Sequence, residues 1–231
     1  MSRNPLHPDE APSTPAGAVA VIVFARAPVP GHAKTRLIPV LGAQGAAALA
    51  QRMLEHAVAV ACNADIGPVE LCVTPNGSHA VFDALRVRHG IDVIEQGEGD
   101  LGARMHRALE RALSKAPAAI LFGTDLPDLD AHALRSAATA LNDHDAVFVP
   151  ALDGGYGLVG LRHPAPALFC DIAWSTSEVM PSTRVRAGSI GLRIAELPPV
   201  ADIDEPGDLN RVPKSWLSAA NVVPPRSPHP I

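Results

Sequence analysis

A chain of 231 residues with 47% apolar and 19% charged types can bury the core of one ordinary α/β domain, or of two small ones, and is too apolar to be disordered throughout. Its formal net charge of −5 argues against a nucleic-acid partner, because a duplex's phosphates are met by a basic face. No apolar stretch is long enough to cross a bilayer, and three cysteines without a CxxC pair (Cys62, Cys72, Cys170) argue against a disulfide framework or a structural zinc site.

The cysteines are expected to be small buried hydrophobes in a reducing compartment. Residues 1–17, rich in Pro, Ser and acidic groups, are expected to form a disordered extension. They lack the apolar middle region of a secretory signal, so a cytoplasmic location is expected. Residues 18–25 (AVAVIVFA) then form an apolar run suited to a strand buried on both faces. Residues 43–62 carry Leu49, Met53, Leu54 and Val58 at helical spacing. Residues 69–74 predict a second strand, 78–87 a short helix and 91–95 a third strand. The stretch 100–115 predicts a helix with Leu101, Met105, Leu109 and Leu113 on one stripe. Residues 118–123 (AAILFG) predict a fourth buried strand, and Asp130 caps a helix running to about 141. Further strands follow at 145–150, 156–161 and 190–196. Asp208 opens a short final helix, and 213–231 is a proline-rich tail on which Trp216 and Leu217 can still dock. The alternation implies a largely parallel sheet with helices on both faces.

Ligands of such sheets bind beyond the carboxyl ends of the strands, and the chemically suggestive segments lie there. FARAPVPGHAKTRL (24–37) follows the first strand and sets Arg26, Lys34 and Arg36 in one proline-stiffened loop. Arg offers a planar fork to phosphate and Lys a mobile point charge, so this loop is expected to bind phosphate. Neither GxxxxGK[ST] nor GxGxxG is present, which argues against a P-loop NTPase and a dinucleotide dehydrogenase. FGTDLPDLD (122–130) places Asp125 where the fourth strand ends, a position from which a carboxylate can hold Mg²⁺ or Mn²⁺ against phosphate oxygens. In ADIDEPGDL (201–209), Asp202 or Asp204 can be a second metal ligand, or the cluster can be acidic capping. PALDGGYGLVGL (150–161) brings Asp153, Gly154, Gly155 and the sole tyrosine, Tyr156, to a bend where a ligand can approach; a hairpin turn explains Gly154 equally well. EQGEGDLGARM (95–105) offers Gln96 and the helix start at Asp100 to a base or ribose, or a plain capping loop. Histidines are scattered, and neither HExxH nor GxSxG occurs, so covalent serine-type catalysis has no support.

Six of these segments, with IAWST (172–176) among them, resemble in order and spacing a bacterial family of GT-A-like proteins. That family belongs to the nucleotide-diphospho-sugar transferase superfamily and is named for glycosyltransferases, some members for arsenosugar biosynthesis. The resemblance covers about residues 18–212. Phospholactate guanylyltransferase and the molybdenum-cofactor nucleotidyltransferases look similar. It implies a GT-A, Rossmann-type α/β fold, and a nucleotide-binding transferase domain over 18–212. By the same resemblance, Arg26, Lys34 and Arg36 hold nucleotide phosphates, Gln96 and Asp100 border the nucleotide, and Asp125 with Asp204 or Asp202 binds the metal. Asp153, Gly154, Gly155 and Tyr156 then face the acceptor. The chain departs from the wider superfamily in having a proline-rich first loop and a lone Asp125 without a full DxD.

Two activities and one inactive state fit. One is glycosyl transfer from a nucleotide-sugar to a small acceptor, with Lys34 and Arg36 on the leaving diphosphate and Asp153 as base. Another is nucleotidyl transfer, in which a phosphorylated acceptor attacks an NTP; three cations suit a triphosphate. The last is a nucleotide-binding module without turnover. The expected partners are a nucleotide or nucleotide-sugar and a small molecule, with no membrane and no nucleic acid; no feature sets an oligomeric state.

Overall fold

The computed structural model describes residues 18–217; the expected extension 1–17 and the end of the tail, 218–231, lie outside the described residues. One seven-stranded sheet organises them: β1 Val19–Arg26, β2 Val69–Thr74, β3 Asp92–Glu95, β4 Ala118–Gly123, β5 Ala146–Pro150, β6 Tyr156–Leu161 and β7 Ile194–Glu196. Their order is β3-β2-β1-β4-β6-β5-β7. Only β6 runs antiparallel to its neighbours, β4 and β5. This is the expected α/β fold of GT-A type, a mostly parallel sheet packed on both faces by helices.

The apolar runs explain the order. β1 is hydrogen-bonded on both edges, to β2 and to β4, so almost every side chain of VAVIVFAR is buried. Alternation divides its residues between two cores. Val21 and Val23 pack with Leu54, Val58 and Phe82 on one face, and Ile22 packs with Met105, Leu109 and Phe148 on the other. The helices covering these faces are α1 Ile38–Ala64, α2 Ala80–His89, α3 Leu101–Leu113 and α4 Ala131–Ala140. Asp130 caps α4 as expected, its carboxylate accepting from the Ala133 N–H at 2.8 Å. α1 starts earlier than the 43–62 stripe suggests and is broken at Gly42, whose φ of 69° is outside the helical region.

Four expectations need correction. The apolar pattern gives no helix between 176 and 189, yet α5 spans Val179–Ser189. Pro181 falls in its first turn, where the missing N–H has no intrahelical partner to lose. That helix and the turn after it shorten the last strand from 190–196 to Ile194–Glu196. The element near 208 is a 3₁₀ helix, Pro206–Arg211, opened by Pro206; Asp208 stands in its first turn in a capping box with Glu205. Of the cysteines, Cys72 is buried and Cys62 half-buried, but Cys170 is exposed and so is no core residue. Trp216, in the short helix α6 Lys214–Leu217, does dock. It packs on a third cluster with Leu37, Met53, Ile203 and Val212, its ring centroid 5.1 Å from that of His56. No described helix is long and apolar enough to cross a membrane.

Candidate functional site

β1, β2 and β4 are parallel and in register, so Arg26, Thr74 and Gly123 end them at one edge. The loop after β1 turns back through bonds from the His32 and Ala33 N–H groups to the Val29 carbonyl. It then passes through Lys34, whose φ of 47° is left-handed. That backbone turn carries the Lys34 side chain inward, where it is 7% exposed. Its Nζ lies 2.8 Å from Asp125 Oδ2 and 3.6 Å from Asp204 Oδ1. Arg36 pairs with the other oxygen of Asp204 at 2.5 Å. Asp125 and Asp204, 79 positions apart in the chain, meet because the Ile203 N–H donates to the Asp125 carbonyl at 3.0 Å. Asp208 holds the acidic segment still, its carboxylate accepting from the N–H groups of Asp204 and Glu205. Capping is therefore the work of Glu205 and Asp208, and it leaves Asp204 to the cations.

Two chambers open at this edge and share Phe24, Leu101, Gly123 and Asp125. The first, about 410 Å³, is walled by Arg26, Lys34, Arg36, Gln96, Thr124 and Asp204. Gln96 is buried and gives its amide N–H groups to the carbonyls of Ala25 and Cys72 at 3.0 and 3.1 Å. What it can offer a ligand is therefore its Oε1. Arg107 fastens the loop of Gln96 by donating to the carbonyls of Gln96 and Glu98. The second chamber, about 330 Å³, is walled by Asp153, Gly155, Tyr156, Trp174, Thr176 and Asp202. Asp153 accepts from the Gly155 N–H at 2.9 Å. The Asp202 carboxyl is held above its ordinary range, first by burial and then by the Asp153 charge beside it. Burial likewise pushes the Tyr156 phenol up, so it stays a neutral hydroxyl.

Most of the residues singled out in the sequence thus converge, with Asp125 common to both chambers. Two do not line either chamber. Asp100 is the N-cap of α3, accepting from the Ala103 N–H at 2.8 Å. Gly154, at φ 94°, lets its loop pass the segment before α5: a Cβ there would stand 2.5 Å from Ser177 Cα. Sequence reasoning missed Arg104, which lines the first chamber while bonding the Gly99 carbonyl, because it sits inside an amphipathic helix. Trp174 and Thr176 were also missed; their only signal was the IAWST segment itself.

No three His, Cys, Asp or Glu side chains converge as a metal site among the described residues. The cleft instead offers hard carboxylate oxygens in ones and twos, Asp125 with Asp204 or Asp202. That donor set fits a Mg²⁺-like cation whose shell is completed by nucleotide phosphates and water.

A family profile described as "Uncharacterized protein conserved in bacteria (DUF2064)" matches residues 57–176, more than half of the chain. The chain belongs to this family. No curated protein sequence matches it. Among solved structures it is similar to a candidate nucleotide-diphospho-sugar transferase from Desulfovibrio desulfuricans G20, at 27% identity and a TM-score of 0.75 over 82% of this chain and 83% of that one. The fold is shared more distantly with 4-diphosphocytidyl-2C-methyl-D-erythritol synthase from Anaerococcus prevotii DSM 20548 (9% identity, TM-score 0.57, 87% and 100% covered). It is also shared with glucosyl-3-phosphoglycerate synthase from Mycobacterium tuberculosis, solved with Mn²⁺, UDP and glucosyl-3-phosphoglycerate (14% identity, TM-score 0.53, 84% and 75% covered).

Proposed function

We propose that this protein is a nucleotide-dependent transferase that moves a glycosyl group from a nucleotide-sugar to a small acceptor with the help of Mg²⁺ or Mn²⁺. The observation that carries the reading is the division of charge in the cleft: Arg26, Lys34 and Arg36 line one chamber, only carboxylates charge the other, and Asp125 stands at their junction. A diphosphate in the first chamber faces Lys34 and the two guanidinium groups, which stabilise the charge it gains as a leaving group. Asp125 and Asp204 would hold the cation, which would neutralise phosphate charge. Lys34, which pairs with both carboxylates in the structure, would also be in place to contact the phosphates. Asp153, at the mouth of the second chamber, is the base that takes the proton from the acceptor hydroxyl. The likeness to the Desulfovibrio structure and to a Mn²⁺- and UDP-bound synthase supports this reading.

Nucleotidyl transfer is the second reading. It is favoured by the three cations of the first loop, which suit a triphosphate, and by the fold shared with a diphosphocytidyl-transferring synthase. Product identity separates the two. Incubation with Mn²⁺ or Mg²⁺, a nucleotide-sugar panel and mixed acceptors is expected to release free nucleoside diphosphate. Pyrophosphate released from an NTP, dependent on a phosphorylated acceptor, would replace the glycosyl reading with the nucleotidyl one.

A further inference from the structure

Asp204 owes little of its position to the sheet. After Ile203 the described chain runs to Leu217 without pairing with a strand. The Asp208 carboxylate accepts from the N–H groups of Asp204 and Glu205, but those bonds close the segment on itself. The pair with Arg36 lies open to water, Arg36 being 66% and Asp204 39% exposed, and ion pairs so placed hold little. Lys34 stands 3.6 Å from Asp204 and nearer to Asp125.

The firmer attachment is apolar. A third cluster, separate from the two sheet cores, gathers Leu37 and Met53 with Ile203 and Val212, and Trp216 of α6 packs on it. Leu37 and Ile203 are fully buried, and they are the chain neighbours of Arg36 and Asp204. The cluster that joins the two apolar side chains therefore brings the two charged ones together. Trp216 is fastened in turn to α1. Its ring meets that of His56 at a centroid distance of 5.1 Å and an angle of 62°, and Arg52 donates to the carbonyls of Ser215 and Trp216. An anchor for α6 alone would need only the surface of α1. This one is shared with the residues beside both members of the Arg36–Asp204 pair.

We propose that Trp216 is a positioning residue for the cleft: through the cluster at Ile203 it fixes the Asp204 carboxylate against the first loop, facing Asp125 across the Lys34 ammonium. A side chain that lines neither chamber thereby sets how strongly a cation and a nucleotide bind together. What Asp204 holds rests on the transfer reading above; its attachment through α6 does not.

The test compares the intact protein with Trp216→Ala, with Trp216→Phe and, as a control for plain loss of stability, with Leu85→Ala, whose buried side chain belongs to the first core and lines neither chamber. Hydrogen exchange read by mass spectrometry needs no ligand. Trp216→Ala is expected to speed exchange over residues 201–209 and 34–41 together, and Trp216→Phe to keep most of the protection. Faster exchange confined to 212–217 would overturn the proposal. Calorimetric titration with UDP, GDP, CDP and ADP, with and without Mn²⁺, then reads the site. Trp216→Ala should cut the strengthening of nucleotide binding by Mn²⁺ about tenfold, the scale seen when a residue that orients a metal ligand is removed. Leu85→Ala should leave that strengthening as in the parent. Because the effect runs through Asp204, it should largely vanish in an Asp204→Asn background. Strengthening untouched by Trp216→Ala, an equal loss in Leu85→Ala, or an effect undiminished without the Asp204 carboxylate would overturn the proposal. If Trp216→Ala does not fold, Arg52→Met removes the bonds to the α6 carbonyls and should shift both readouts the same way; no shift in either would count against it. Coupled exchange in a protein whose parent binds no nucleotide would support the positioning role and reject the transfer reading.

Discussion

Lys34 joins the site's two halves at the scale of one residue. A left-handed backbone is uncommon for a residue with a Cβ and is kept where surroundings impose it. Here it places an ammonium between Asp125 and Asp204. Removing it takes away the ammonium that pairs with both carboxylates and, on the proposed reading, a charge-assisted bond to phosphate. Lys34→Ala is expected to weaken nucleotide binding by about 1–3 kcal/mol, measured by calorimetric titration; unchanged affinity would remove the first loop from the site. Gly154 is demanding for a different reason. Its φ of 94° and the 2.5 Å approach to Ser177 Cα leave no room for a side chain. Gly154→Ala should lose about 1–3 kcal/mol of stability in urea titration, and a midpoint equal to the parent's would show that the loop can move aside. The residue types of the site were legible because they cluster where strands end. Their pairing was not: Arg36 and Asp204 lie 168 positions apart and are brought together by the sheet, by the bond from Ile203 to Asp125, and by Leu37 and Ile203 sharing one cluster.

Elements were legible where their burial leaves a pattern in the sequence, either a continuous apolar run or a stripe. β1 and β4 read as continuous apolar runs because neighbours cover them on both faces, and α3 read as a stripe because its other face meets water. α5 escaped because its sequence, VMPSTRVRAGS, has a proline in the first turn and no apolar stripe. Its helical form comes from packing Val179, Met180 and Ala187 inward. The start of α3 carries a prediction of its own. Asp100 was read from sequence as either nucleotide contact or cap, and the structure has it capping. Asp100→Ala should lower stability by about 0.5–2 kcal/mol in thermal or chemical denaturation while leaving nucleotide affinity in place. A selective loss of affinity without loss of stability would return Asp100 to the binding surface.

At the scale of the whole molecule, the sheet order β3-β2-β1-β4-β6-β5-β7 sets the cleft where three parallel strands end beside the antiparallel β6. The first chamber lies beyond β1 and β2, the second beside β6, and the end of the described chain returns across both to deliver Asp202 and Asp204. The molecule is acidic overall, with net charge −5, so the group Arg26, Lys34, Arg36 and Arg104 around the first chamber is a local basic patch against that background. Lys34 already pairs with Asp125 and Asp204, so on the proposed reading a cation is expected to bind with a nucleotide whose phosphates draw the ammonium and complete the metal's shell.

That coupling gives the most direct test, a calorimetric titration of the intact protein with Mn²⁺ alone, with a panel of nucleoside di- and triphosphates, and with both, repeated on Asp125→Asn. The account predicts little or no binding of Mn²⁺ alone. It predicts nucleotide binding that Mn²⁺ strengthens, and loss of that strengthening in Asp125→Asn. Failure of every nucleotide to bind in the presence of Mn²⁺, or an enhancement by Mn²⁺ that survives Asp125→Asn, would contradict it.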